Sequence, residues 1–395
     1  MLWIPRIILS PLYLANEYLL RRPIGFLVRH AESGHWADTI ENAFTFGEGG
    51  KNIIIPTALF DFGLLPSVGV YYAGDDFLTA NNQLRLHGAT WGPAWINVTA
   101  ADRYTIDKND VVQVRAEFKR SLDNLFFGIG PDVKSSTQSR YGLERVEGGA
   151  SYRRLLGDES RLDLSSGVHR LTFLTGDCCA NPSLDTRIAS GDLMAPPGYR
   201  ESYTTAFARA ELMLDSRSAR PEPGSGVYFD AHTNASFDLH QNRSWLQYGG
   251  TIGGAVDLTG HQRTIKMQLS VDFVDSLAGG TIPFIEFPSL TSAFMPGFVT
   301  GWMTGLSTVA AQIGYTWPVW MWLDGQTRFA VGNAFGEHLG GLSPQKLRFS
   351  YDIGVTTANA RDQGFEVLFG LGTETLGQGA NVTSVRVTFG SRKGF

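Results

Sequence analysis

The chain has 395 residues, of which 43% are hydrophobic and 12% aromatic but only 18% charged, and 46 are glycine. The net charge of −5 and the pI near 5.9 provide no basic surface, which argues against nucleic-acid binding. No stretch reaches 18 consecutive apolar residues, which excludes a transmembrane helix, and the composition is typical of strands and turns.

Residues 1–50 form the first predicted unit, a short N-terminal helical segment. Apolar residues recur about once per turn within residues 1–35, so the helix is amphipathic and does not span. It is expected to lie on the periplasmic side of a membrane, to enter a lumen as a plug, or to pack on a barrel rim. The segment lacks a signal-peptide cleavage site, so we expect the numbering to start at or near the mature protein.

From residue 52 onward the period of the hydrophobic pattern changes to two. In Val112–Phe118 and again in Val227–Leu239, apolar residues alternate with polar or charged ones. These strands are longer than those of a soluble sandwich, and their charges fall on one face only. In a membrane barrel the apolar face meets lipid and the charged face lines the lumen.

Residues 51–395 are therefore predicted to be a 16-stranded antiparallel transmembrane β-barrel, which makes the fold class all-β. An even number of strands places both chain ends on one side, and the long connections 175–203 and 277–305 should face outward. The predicted strands are 52–60, 66–74, 83–91, 93–103, 109–119, 138–155, 160–173, 203–216, 224–240, 243–259, 262–276, 306–317, 320–332, 346–358, 363–373 and 382–392.

Several motifs of the barrel half resemble those of a known family. The last strand contains Phe389 and the chain ends in Phe395, as closing strands of outer-membrane barrels commonly end in an aromatic residue. The other motifs are Phe126–Pro131, Phe284–Ser289, the tetrapeptide Met295, Pro296, Gly297 and Phe298, and a wall motif that contains Gly332, Asn333 and Phe335. Together they resemble the BamA/TamA-type outer-membrane domain of the bacterial surface antigen superfamily.

The resemblance covers residues of about 50–395 and implies a bacterial outer-membrane location. The family has 16 strands with a signature loop between strands 11 and 12, where Met295–Phe298 falls here. Its members insert or export polypeptides, or handle lipids, and carry periplasmic POTRA modules, for which this chain has no room. The implied partners are the lipid bilayer, client outer-membrane proteins or lipids, and a periplasmic protein docked through residues 1–35.

Two family residues are replaced. The signature loop of the family carries an arginine that reaches an acidic wall residue two positions before a glycine. Pro296 replaces the arginine, and Ala330, two positions before Gly332, replaces the acid. Losing both partners leaves no stranded charge, so we interpret the change as a tolerated redesign.

The loop that carries these residues is also rich in aromatic side chains, a density unusual for a water-exposed loop. It is predicted to be either a lumen plug or an external contact surface. The loop aromatics, besides Phe298, are Phe284, Phe287, Phe294 and Trp302.

Pro56 lies inside the first predicted strand, where a proline removes a ladder donor and is ordinarily restricted to an edge or bulge. The pairing of the first strand with the last should therefore be short. Pro56, Phe389 and Phe395 mark this seam, which in the family is where client strands or lipids are thought to act.

The sequence contains no recognisable catalytic, metal or cofactor motif, so neither an enzyme nor a cofactor is predicted. Cys178 and Cys179 could form a vicinal disulfide or bond to another chain. Two functions remain open. One is an assembly or translocation factor acting at the seam, and the other is a non-catalytic channel or scaffold with a plugged lumen.

Overall fold

The computed structural model describes residues 44–393 except 62, 158, 177, 180, 218–224, 261, 291–292, 321–322 and 358–362, together with Tyr18, Arg22 and Phe26. Sixteen long strands follow one another around an antiparallel sheet that closes on itself. The predicted all-β class and strand number are confirmed. Within the described residues, no helix has both the length and the apolar character needed to cross a membrane.

The strands agree with the predicted segments within a few residues, except the fifth, which continues seven residues further to Phe126. Its register shifts between Ser121 and Asn124, and this bulge interrupts the alternation on which the prediction relied. The strands are β1 (Asn52–Asp61), β2 (Ser67–Asp75), β3 (Asn82–Thr90), β4 (Trp95–Thr105), β5 (Asp110–Phe126), β6 (Ser139–Leu155), β7 (Arg161–Leu174), β8 (Tyr203–Asp215), β9 (Gly226–Asp238), β10 (Ser244–Asp257), β11 (Thr264–Ser276), β12 (Ser307–Trp320), β13 (Leu323–Phe335), β14 (Arg348–Thr357), β15 (Gln363–Thr375) and β16 (Val382–Lys393).

The outer face of the barrel is apolar. Large side chains such as Val114, Val227, Ile252 and Met267 are 58 to 65% exposed, although each lies within a long strand. A soluble protein rarely exposes so extensive an apolar surface, whereas a lipid-facing barrel wall requires one. The wall is therefore a membrane-spanning surface.

The inner face carries charges of both signs, as the alternation predicted. Arg161 Nη2 lies 3.0 Å from Glu211 Oε1 across neighbouring strands, and Arg115 pairs with Glu117 along β5. His232 Nε2 lies 2.9 Å from Asp272 Oδ1. The inner wall is thus cross-linked by ion pairs and has no dominant charge.

The two ends of the barrel differ in their connections. Short connections such as 106–109 and 156–160 lie at the end where β1 begins and β16 ends. Long connections lie at the other end, namely 127–138, 175–202, 277–306 and 336–347. We call these the short-turn end and the long-loop end.

The long loops pack into a shared core that covers the long-loop end. A short helix, α1 (Leu184–Ala189), begins at Ser183, whose hydroxyl accepts the Thr186 N–H. Leu184 is fully buried in this core, and Phe284 from the next long loop meets Phe126 edge-on with ring centroids 5.1 Å apart. The long-loop end is therefore closed by side chains.

The N-terminal segment lies largely outside the described residues, and so does the predicted helix of residues 1–35 apart from three isolated positions. At the described end of the predicted helical unit, Thr45–Phe46 is extended and Glu48–Gly50 is a short 3-10 helix. Thr45–Phe46 is a two-residue strand that pairs antiparallel with Asn52 and Ile53 at the beginning of β1. Residues 47–51 between them form the turn of a tight hairpin, which local periodicity does not reveal.

The lipid-facing assignment predicts the effect of a charge on the outer wall. Ile252→Arg places a cation in the hydrocarbon layer and should lower the free energy of unfolding by about 2–4 kcal/mol. Denaturant titration in lipid vesicles measures this loss. Ile252→Leu and the lumen-facing Gln113→Arg are the controls and should cost less; an equal cost for both arginines contradicts the assignment.

Candidate functional site: the inserted loop and the seam

The loop 277–306, called the inserted loop here, enters the lumen. Met295 is fully buried, and Phe298 and Trp302 are 1% and 4% exposed. They lie in one apolar cluster with Ala310 of β12 and Ala330 of β13. The loop is thus a plug and not an external contact surface.

The tip of the inserted loop is held through its backbone by two strands of the wall, β14 and β16. The Gly297 N–H donates to Ser350 Oγ of β14 at 2.7 Å, and Ser384 Oγ of β16 donates to the Gly297 carbonyl at 2.7 Å. Arg386 Nη1, also on β16, lies 3.5 Å from the Pro296 carbonyl. The polar contacts of the wall with the tip are therefore all to main-chain atoms, while the side chains of Met295 and Phe298 pack in the apolar cluster.

Glycines on both sides permit this close approach. A Cβ on Gly297 would collide with the Leu371 carbonyl of β15. A Cβ on Gly372 would lie 2.6 Å from the Phe298 ring. No side chain fits at either position without displacing the tip.

The four predicted wall residues lie on β13, but they do not act alike. Ala330 contributes to the cluster around the tip, and Gly332 faces Ala310 too closely to accept a Cβ. Asn333 is fully buried and donates from Nδ2 to the carbonyls of Pro131 at 3.1 Å and Lys346 at 2.6 Å, both in long loops. Phe335 ends the strand, 1% exposed and paired with Ser307.

Position 296 of the tip and position 330 of the wall are not joined by a charge pair, because they carry proline and alanine. Ala330 instead belongs to the apolar cluster around the tip, and Pro296 is buried with its carbonyl 3.5 Å from Arg386 Nη1. Two positions before Ala330, Arg328 makes a bidentate ion pair with Asp352 of β14, at 3.0 and 2.7 Å. This part of the lumen therefore contains an ion pair, but both of its partners, Arg328 and Asp352, belong to the wall.

The loop aromatics divide between two clusters. Trp302 stacks on Phe127 with ring centroids 4.2 Å apart, and Phe294 packs against the same cluster. Phe284 and Phe287 lie in the core under the long loops. The aromatic side chains therefore fix both arms of the inserted loop while the tip is held by its backbone.

A buried carboxylate anchors the first arm, and the sequence analysis missed it. Glu286 Oε1 accepts from Tyr203 Oη at 2.8 Å and lies 3.4 Å from His169 Nε2. Burial alone would raise the pKa of the Glu286 carboxyl, but the hydrogen bond and charge of His169, the hydrogen bond of Tyr203 and the charge of Arg145 outweigh it and hold the pKa below its usual value of 4.5. Glu286 lies inside the motif Phe284–Ser289, of which only the aromatic residues were predicted to be functional.

The seam between β1 and β16 is short, as the position of Pro56 predicted. Three residue pairs are in register, Thr388 with Asp61, Phe389 with Phe60, and Gly390 with Leu59. Every other pair of neighbouring barrel strands has eight to fifteen. The seam is thus the weakest ladder in the described barrel.

The three predicted seam residues occupy different positions. Pro56 is exposed on the lipid side, opposite Val70 of β2 and outside the three seam pairs. Phe389 is 51% exposed on the same side and meets the Phe365 ring edge-on at 5.3 Å. Phe395 lies outside the described residues.

Arg386 connects the seam to the inserted loop. Its guanidinium makes a bidentate ion pair with Asp61 at the end of β1, at 2.8 and 2.5 Å, besides its contact with the Pro296 carbonyl. Arg386 is 6% exposed. One side chain of β16 therefore touches both the first strand and the tip of the plug.

A cavity of about 350 Å³ lies inside the wall next to this junction. It is lined by the end of β1, by β5 residues including Lys119 and Asp123, and by Phe284 and Phe287 of the inserted loop. In the described residues, no three His, Cys, Asp or Glu side chains are grouped to hold a metal ion. The Sγ atoms of Cys178 and Cys179 lie 2.7 Å apart without a bond.

These features define a class: a transmembrane β-barrel plugged by its own loop and closed by a short seam. No protein-family model and no curated protein matches the sequence. Among solved structures, BamA from Haemophilus ducreyi lacking POTRA domains 1–3 matches with a TM-score of 0.62 at 12% identity, over 86% of this chain and 70% of that one.

Two further solved structures are CdiB proteins. CdiB from Acinetobacter baumannii matches with a TM-score of 0.52 at 7% identity, over 86% of this chain and 59% of that one. CdiB from Escherichia coli matches with a TM-score of 0.52 at 10% identity, over 85% and 62%. The resemblance inferred from the motifs is thus confirmed at the level of the fold.

The close contact at the tip predicts that Gly372→Val dislodges the inserted loop. The added side chain collides with the Phe298 ring, and we expect a loss of about 1–3 kcal/mol in stability and faster chymotrypsin cleavage within 277–306. The matched control is Gly88→Val, since a Cβ on Gly88 meets nothing within 4 Å. Equal cleavage rates in the two variants would contradict the tip geometry.

The lowered pKa of Glu286 predicts a pH-dependent contribution to stability. A depressed carboxyl pKa gives stability that is present above pH 4.5 and is lost as the pH falls through the lower folded-state value. Compared with Glu286→Gln, the native chain should be more stable by about 1–3 kcal/mol at pH 7, with the difference closing below pH 4.5. Unfolding followed by tryptophan fluorescence in micelles measures it.

The control for this experiment is Asp132→Asn, which removes an exposed carboxylate 3.4 Å from Lys346 Nζ. It should change stability by less than about 1 kcal/mol. A pH-independent difference between the native chain and Glu286→Gln would show that the carboxylate charge does not anchor the loop.

Proposed function

We propose that this chain is an outer-membrane barrel that inserts or translocates polypeptides or lipids through the seam between β1 and β16. The observation that carries the proposal is the three-pair seam. A barrel that only has to stay closed would gain stability from a full ladder there, as at its other strand pairs. The fold shared with BamA and CdiB supports the same role.

An open seam exposes unpaired backbone groups to lipid, and their number decides the cost of opening. Backbone N–H and C=O groups without partners cost several kcal/mol each in the hydrocarbon layer. A seam with three pairs exposes few additional groups when it opens, whereas the ladder between β6 and β7 would expose fourteen residue pairs. An incoming strand can satisfy the exposed groups while it leaves or enters the lumen.

Arg386 gives this opening a structural link to the plug. If β1 moves away, the ion pair with Asp61 breaks, and of the contacts described for the arginine the one with the Pro296 carbonyl remains. A buried arginine that loses its carboxylate is costly, by about 3–5 kcal/mol. Movement of the seam and movement of the inserted loop are therefore expected to be coupled.

The proposed partners follow from the same role. They are the outer-membrane bilayer, client outer-membrane proteins or lipids, and a periplasmic protein bound through residues 1–35, which lie largely outside the described residues. The chain is proposed to act without catalysis. The second candidate function, a non-catalytic channel or scaffold with a plugged lumen, shares the buried tip of the inserted loop, so the short seam is the observation that favours translocation over it.

Locking the seam tests the proposal. Phe60→Cys with Phe389→Cys joins a register pair of the seam by a disulfide, in a chain that also carries Cys178→Ser and Cys179→Ser. Proteoliposomes with this barrel should lose their stimulation of the folding of an added small outer-membrane barrel, and a reductant should restore it. The conductance of the same vesicles is recorded.

The control disulfide is Ile252→Cys with Leu269→Cys, a register pair on the lipid face of β10 and β11. It should leave the stimulation unchanged. Equal activity of locked and reduced seams would refute the seam as the working site, and steady conductance that is insensitive to the lock would favour a channel.

A further inference from the structure

The direction of the backbone groups along β1 shows which residues could receive a strand at the seam. Asp75 N–H donates to the Lys51 carbonyl, so alternate residues from 51 onward bond to β2. The residues between them, including Ile54 and Pro56, direct their backbone groups toward the seam. These are the positions that an added strand would have to use.

The beginning of the β1 edge that faces the seam is already paired with a short segment of the same chain. Thr45–Phe46 pairs with Ile53 and Asn52 on the side where β16 would otherwise lie. Two side-chain contacts support this strand, since Asn52 Nδ2 donates to the Phe46 carbonyl at 3.4 Å and the Phe46 and Tyr72 rings lie 6.4 Å apart.

Pro56 interrupts the remainder of the edge. Its missing N–H would have pointed toward the seam, so a strand laid along β1 finds no donor there. The seam pairs begin only at Leu59. An added strand on β1 would therefore meet the chain's own Thr45–Phe46 at one end, a missing donor in the middle and β16 at the other end.

The edge of β16 toward the long-loop end has no such obstruction. If the seam register continued, Gly63 and Leu65 would lie beside Arg386 and Ser384. Instead the turn between β1 and β2 is drawn inward, because Arg140 Nη2 donates to the Gly63 carbonyl at 2.7 Å and the Leu65 N–H donates to Asp123 Oδ2 at 2.8 Å. In the described residues, no strand pairs with Val382–Val387 on the seam side.

We propose that the seam accepts an added strand along Val382–Val387 of β16, and that Thr45–Phe46 acts as a built-in strand that blocks β1. The inference deepens the proposed function, since the added strand would belong to the polypeptide being handled. The occupant is an extended segment antiparallel to β16, with apolar side chains toward lipid beside Val385, which is 51% exposed, and polar ones toward the lumen.

Two synthetic peptides, each with one cysteine, test both edges of the full chain in nanodiscs. One has the sequence of residues 52–61 of β1, and the other that of residues 382–393 of β16. The seam register would set residue 64 beside Val385 and residue 395 beside Ile54, so each peptide reaches its reporter only in a register shifted by an even number of residues, which keeps its lipid-facing side chains toward lipid. The chain carries Cys178→Ser and Cys179→Ser and one reporter, either Val385→Cys or Ile54→Cys. Met267→Cys, on the lipid face away from the seam, is the control reporter.

We expect the 52–61 peptide to form a disulfide with Val385→Cys about tenfold faster than with Met267→Cys, the effect of one or two hydrogen bonds. The 382–393 peptide should not react with Ile54→Cys above the control. Adding Phe46→Pro, which breaks the short strand outside the barrel ladder, should raise that reaction about tenfold.

Background reaction at Val385→Cys, or full reaction at Ile54→Cys in a chain with native Phe46, would overturn the inference. Its failure is distinguishable from failure of the proposed function. Reaction at Val385→Cys in a barrel that does not stimulate folding would leave the edge correct and the role wrong.

Discussion

The rest of the barrel interior depends on one contact, that of the loop tip with the inner face of β14, β15 and β16. Its backbone bonds to Ser350 and Ser384 require the tip to lie against the wall, and Gly297 and Gly372 make that approach possible. With the tip in place, Trp302 can stack on Phe127 and the long loops can close the barrel end. Arg386 then joins this interior to the first strand.

The arrangement of charge around the loop explains how a barrel can lack the charge pair at Pro296 and Ala330. The tip sits in an apolar cluster, where a lone arginine or carboxylate would have been costly. The loop instead contributes a carboxylate at the other end of its first arm, where Glu286 meets Tyr203 and His169. Uncharged hydrogen bonds thus hold the tip, together with the contact from Arg386, while the buried carboxylate of the loop lies in its first arm.

The strands followed from the sequence because they depend on a local pattern, whereas the sequence left open whether the loop 277–306 plugs the lumen or forms an external contact surface. Alternation gave sixteen strands, and Pro56 gave the short seam, since a missing donor is a property of the residue itself. The end of β5, the anchor at Glu286 and the pairing of Thr45–Phe46 did not follow. Each of these depends on a partner distant in sequence or on a bulge, which periodicity cannot identify.

The apolar part of the contact between tip and wall responds to its surroundings differently from an ion pair. Attraction between charges weakens as ions accumulate, whereas contacts among Phe298, Trp302 and the alanines of the wall are not screened. The hold on the tip should therefore persist across changes of ionic strength. It should also loosen on cooling, because burial of apolar surface is the interaction that weakens in the cold.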